Sequence, residues 1–109
     1  MVVRIVLWSL AESKTTIEEL RRDLRDGSAD AFAEVEGLRF KAWISDASGE
    51  RWGSFELFES LEAAEQPLPA NALALIGREP DLTEVFDLEA SIEGRHEQDE
   101  LSRLGLAFE

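Results

Sequence analysis

Two short apolar segments carry most of the residues able to do chemistry. Leu38-Arg39-Phe40-Lys41-Ala42-Trp43 and Arg51-Trp52-Gly53-Ser54-Phe55-Glu56-Leu57-Phe58 alternate in character, so Arg39, Lys41 and Trp43 share one strand face, as do Trp52, Glu56 and Phe58. With Trp8 from the N-terminal run they form a candidate substrate-binding set: Trp8, Arg39, Lys41, Trp43, Trp52, Glu56 and Phe58. Trp43 and Trp52 offer flat stacking surface, and equally read as a cross-strand pair serving a core. Arg39 and Glu56 read as an acid/base or carboxylate-holding pair, or as a structural ion pair, the commoner case. Lys41 faces Ser54 in the expected register. Without an acidic partner it can hold an anion or an enolate, and a buried lysine shifts its pKa readily. No catalytic residue is assigned.

Other chemistries are excluded by what the 109 residues lack. There is no cysteine and no tyrosine, and the single histidine, His96, lies in an acidic tail, where it is a solvated residue or a general base swung over a cleft. Thiolate zinc, histidine-rich metal sites and cysteine nucleophiles are thereby impossible, and no calcium-loop pattern is present, so no metal is expected. Phosphate-cradling glycine loops and the Gly-x-Ser-x-Gly elbow are absent, which removes nucleotide-dependent and serine-hydrolase readings. No cofactor is expected. A formal charge of −13 has the wrong sign for a nucleic-acid partner, and no apolar run reaches membrane-spanning length. A cytoplasmic protein is expected.

The elements that must position these residues follow from pattern. Residues 2–10 are a β-branched, apolar strand. Thr15 and Thr16 open overlapping Thr-x-x-Glu capping boxes for a helix over 16–26, with Ile17, Leu20 and Leu24 on one face. Gly27-Ser28 interrupts it, Ser28 capping a second piece that Gly37 ends. Strands over 38–45 and 51–59 are joined by the turn Asp46-Ala47-Ser48-Gly49. Ser60 caps a short helix over 61–66, Pro69 begins another ended by Gly77, and 81–88 is the fourth strand. The order is βαββαβ, an α+β ferredoxin-like plan with an antiparallel four-stranded sheet, over residues 1–90. Residues 91–109 read as an acidic tail, dispensable for the core fold, whose Leu101, Leu104, Leu106 and Phe108 are apolar enough to dock.

The central hairpin is expected to pair Leu38 with Leu57, Phe40 with Phe55, Arg39 with Glu56, Lys41 with Ser54 and Trp43 with Trp52, a register that a bulge at Gly49 would shift. Helices cover one sheet face. The other is expected to be the face bearing Val6, Trp8, Trp43, Trp52 and Phe58, too apolar to stay exposed. A second copy across a two-fold axis is the economical cover, so a homodimer is expected. Arg4, Arg39, Lys41 and Glu56 on that face suggest a polar-lined cleft, placed either between paired sheets or between the sheet and the mouth of its helices.

Gly37-Leu38-Arg39-Phe40-Lys41-Ala42-Trp43, Gly53-Ser54-Phe55-Glu56-Leu57-Phe58 and Val85-Phe86-Asp87-Leu88 resemble the YdhR-like mono-oxygenase family of the dimeric α/β-barrel superfamily. The resemblance spans residues 1–90. It implies a homodimer and cofactor-independent oxygenation of a hydrophobic cyclic or aromatic compound. Where relatives carry a second glycine and then a tyrosine, this chain has Ser54 and Glu56, so no mechanism that needs a phenol is open to it. The alternative is a non-catalytic dimeric domain that binds a small molecule or regulates.

Overall fold

A computed structural model describes residues 1–69, 71–95 and 101–109. Strands β1 (Val2–Ser9), β2 (Leu38–Asp46), β3 (Arg51–Phe58) and β4 (Leu82–Asp87) form one antiparallel sheet in the order β2-β3-β1-β4. Helices α1 (Ile17–Asp23) and α2 (Ala29–Phe32) lie between β1 and β2, and α3 (Leu61–Glu65) and α4 (Asn71–Ile76) lie between β3 and β4. This is the expected α+β ferredoxin-like plan. Among the described residues, no helix is long and apolar enough to cross a membrane.

Local chemistry sets the ends of these elements. The Thr16 hydroxyl accepts from the Glu19 amide at 3.2 Å and Ser60 accepts from the Ala63 amide at 3.0 Å, both as N-caps. Between α1 and α2 the chain kinks within Leu24–Ser28, where Gly27 adopts φ +139°, open to glycine and strained for any other residue. Ser28 does not cap α2. It is already helical, and its hydroxyl donates back to the Asp23 carbonyl at 3.0 Å. In the β2–β3 turn the Asp46 carboxylate accepts from the Ser48 hydroxyl, the Gly49 amide and Arg51. These bonds, that of Arg51 foremost, hold its pKa below the ordinary carboxylate value.

The hairpin register differs from the expected one. Lys41 pairs with Glu56, Ala42 with Phe55, Trp43 with Ser54 and Ser45 with Trp52, and the irregularity falls between Leu38 and Phe40 instead of at Gly49. From Phe40 to Asp46 the shift is two residues, one full pleat, so these side chains keep their faces and change partners, while Leu38, beyond the irregularity, pairs with Phe58 and turns to the helix-covered cluster.

Which face is covered also differs. Val6, Trp8 and Trp52 pack with Leu10, Leu20, Leu24, Ile76 and Ala107 in the main core, with Trp43 partly buried against them. A second cluster joins Val2, Phe58 and Ala64. The tryptophan face therefore lies beneath the chain's own helices and is not the open one. The open face carries Phe40, Ile44, Phe55, Leu82 and Phe86, all substantially exposed.

His96 and the run Glu97-Gln98-Asp99-Glu100 lie outside the described residues. The end of the chain docks on the domain. Ala107, within a 3₁₀ turn over Leu106–Phe108, is buried in the main core, and Phe108 packs against it. Arg25 donates to the Ala107 carbonyl at 3.1 Å, and Arg103 pairs with Asp30 at 2.6 Å.

Candidate functional site

The centre of the helix-covered face is a buried cluster of three charges. Antiparallel pairing sets Arg4 of β1 and Lys41 of β2 on either side of Glu56 of β3. Each carboxylate oxygen has its own cation: Arg4 Nε donates to Oε1 at 2.8 Å and Lys41 Nζ donates to Oε2 at 3.1 Å. The Glu56 side chain is 0% exposed, Lys41 10% and Arg4 20%. A carboxylate so deep is tolerable because both oxygens are met by charged donors. Arg4 is further fixed by a 3.1 Å bond from Nη1 to the Ala64 carbonyl and by the Phe58 ring, 5.4 Å from its guanidinium carbon.

Lys41 sits in an aromatic corner. Its ammonium lies 3.5 Å from the centre of the Phe32 ring and 4.9 Å from that of Trp43, and these two rings meet edge to face. Burial lowers its pKa from 10.5 to about 8; Glu56 opposes the change and Arg4 adds to it. An amine of this kind holds its proton at neutral pH and can release it within the range of ordinary solution conditions.

Beside the cluster is a cavity of about 320 Å³ between the sheet and the helices. Arg4, Lys41 and Glu56 line it together with Trp8, Trp43, Trp52 and Phe32, while Asp23 and Glu79 carry acid on its lining. Trp8 also anchors the loop at this cavity, its indole N–H donating to the Arg78 carbonyl at 2.9 Å. Arg78 in turn binds Asp81 and the Ser9 carbonyl.

Of the candidate set, Trp8, Lys41, Trp43, Trp52 and Glu56 line this one cavity. Phe58 is fully buried in the second core cluster and does not line it. Arg39 is not a partner of Glu56. Displaced at the strand irregularity, its side chain is 55% exposed and pairs with Glu59 at 3.3 Å. Its place is taken by Arg4, visible in the sequence as a charge on the same face but joined to Glu56 only by the β1–β3 register. Phe32 is the other addition, from the helical piece after Gly27-Ser28, and only the fold brings it against Lys41 and Trp43. Of the two expected placements, the cavity lies between sheet and helices and not between paired sheets, because the polar face is the one the helices cover.

No protein-family profile and no curated protein matches the chain. Among solved structures it is similar to SnoaB, a cofactor-independent oxygenase from Streptomyces nogalater solved as an N63A mutant, with a TM-score of 0.57 and 12% identity over 85% of this chain and 97% of that one. It is also similar to Rv0793 from Mycobacterium tuberculosis, with a TM-score of 0.47 and 19% identity over 87% and 98% of the two chains. At 12% identity the likeness to SnoaB establishes a shared fold.

Proposed function

We propose that this chain is a small cofactor-independent mono-oxygenase of the YdhR-like kind, acting in the cytoplasm on a hydrophobic cyclic or aromatic substrate. The observation that carries the reading is the cavity: stacking surface from Trp8, Trp43 and Trp52 set against the buried cations of Lys41 and Arg4. The fold it shares with SnoaB supports it.

In this reading the substrate supplies the reducing power. A methylene flanked by electron-withdrawing aromatic groups loses a proton, and the carbanion passes an electron to dioxygen. Recombination forms a C–O bond in a hydroperoxide, which loses water to leave a ketone. Overall, CH2 and O2 give C=O and H2O. The protein's part is to hold the delocalised anion against the Lys41 ammonium and the Arg4 guanidinium and to keep water out. Arg39, on the outer surface, has no part in it.

A homodimer belongs to the same proposal, through the open sheet face. Phe40, Ile44, Phe55, Leu82 and Phe86 make an apolar surface larger than scattered exposed residues would, and a second copy across a two-fold axis covers it. The test is oxygen consumption with anthrone as substrate, against a buffer control. Uptake of one O2 per anthraquinone formed, lost in Lys41→Met, supports the reading. Tryptophan quenching by anthrone without oxygen uptake leaves a binding domain instead.

A further inference from the structure

The charge on the cavity floor does not balance. Glu56 is saturated: it is fully buried, and each oxygen already accepts from a cation. Two cations surround this one carboxylate, leaving one positive charge in excess. Their donors are not exhausted either. Lys41 spends one of its three N–H groups on Glu56, and the nearby faces of Phe32 and Trp43 attract the ammonium without neutralising it. Arg4 uses Nε on Glu56 and Nη1 on Ala64, and among the described residues its Nη2 has no acceptor. Asp23 and Glu79 also line the cavity, but neither is paired with Lys41 or Arg4. An unneutralised cation in an apolar wall is unfavourable, and an anion bound there relieves it.

We propose that the ligand of this cavity is an aromatic acid with a single negative charge, its carboxylate seated on the unused N–H groups of Lys41 and Arg4 and its flat body against the tryptophans. The inference rests on the cavity being the ligand site of the function proposed above, and it adds charge and orientation. A volume of about 320 Å³ suits a fused two-ring or three-ring body. Asp23 and Glu79 disfavour a second negative charge on the ligand and so oppose a dianion.

The test compares 2-naphthoate with its neutral isostere 2-naphthamide, by calorimetry and by quenching of tryptophan fluorescence at pH 7. The acid is expected to bind at least about tenfold more tightly, or about 1.4 kcal/mol. The ratio should fall to near one in Lys41→Met and remain in Arg39→Met, whose side chain lies outside the cavity. Should Lys41→Met fail to fold, the wild-type ratio measured from pH 7 to 9.5 answers the same question. It must fall as Lys41 loses its proton around pH 8. Equal binding, binding of neither compound, or a preference that survives both loss of Lys41 and high pH overturns the proposal. Oxygen uptake is read separately. Its absence alongside an intact acid preference removes the oxygenase reading and leaves the ligand class standing. Oxygen uptake with no acid preference does the reverse.

Discussion

Lys41→Met should stabilise the fold at pH 7, and by less as the solution becomes alkaline. The lysine side chain is 10% exposed, and burial, only partly offset by Glu56, lowers its pKa from 10.5 to about 8. Below pH 8 the folded protein thus holds an ammonium that the unfolded chain accommodates better. At roughly 1.4 kcal/mol per tenfold change in proton affinity, that gap corresponds to about 3 kcal/mol. Between pH 8 and 10.5 the unfolded state binds more protons than the folded one, so wild-type stability gains over this window. The penalty is fully present below the folded pKa and gone above the unfolded one. Methionine is uncharged in both states, and Glu56 keeps Arg4 as its partner in the variant. Allowing for the lost Lys41–Glu56 bond, the variant should be more stable by about 1–3 kcal/mol at pH 7, which for a domain near 100 residues is a rise of about 4 °C or more in Tm. Urea unfolding followed by tryptophan fluorescence at pH 7, 9 and 10.5 measures the difference directly. A less stable variant at pH 7, or a difference that does not close with pH, refutes the reasoning and makes Lys41 a net structural partner of Glu56.

Glu56→Leu leaves two cations facing each other without an anion and should lower stability by about 3–5 kcal/mol. Adding Lys41→Met should recover a large part of it, which a double-mutant cycle in urea would show. Gly53→Ala drives a Cβ into the Val6 carbonyl oxygen and the Leu7 side chain, and should cost about 1–3 kcal/mol by thermal melting. Phe55→Glu on the open sheet face should convert a dimer into a single 12.2 kDa chain by light scattering, and a wild-type mass already at that value removes the dimer. Deleting residues 103–109 removes Ala107 from the main core and Phe108 from its side, and should lower stability by about 1–3 kcal/mol in urea.

The order and type of the elements were legible because their signals are local: the β-branched run at 2–9, the Thr16 and Ser60 caps, the Asp46–Gly49 turn. Face membership was legible too, save at Leu38 and Arg39 beside the strand irregularity, since strand parity survives a two-residue slip. The slip itself was not: it arises at the turn, which runs over Ala47–Glu50 with Glu50 at φ +52° and so is centred one residue later than the Asp46–Gly49 composition suggests. Nor did alternation say which of two apolar faces the helices cover. The charges on the tryptophan face suggest a polar-lined cleft between two sheets, yet Arg4 and Lys41 enter it around Glu56 as a paired set beneath the chain's own helices. A usable signal did exist. The helical segments carry small residues, Ala29, Ala64 and Ala72, at positions that pack against the large side chains of this face or beside them, and a surface of alanines complements a surface of tryptophans. Arg4 escaped the candidate set because its partner lies 52 residues away and only the β1–β3 pairing brings them together.

The strand order also has a consequence for how the chain is born. β1 lies inside the sheet, between β3 and β4, so neither of its edges has a partner when it is made. β3 begins 49 residues after β1, and β4 a further 31. At about 5–20 residues per second, Val2–Ser9 waits on the order of seconds for its first neighbour and longer for its second. During that time an unpaired β-branched and apolar segment, interrupted by Arg4, is open to association with other chains. Arg4 is thus a gatekeeper before it is a partner of Glu56. Removing it should lower the yield of folded protein during synthesis even where the finished fold tolerates the change.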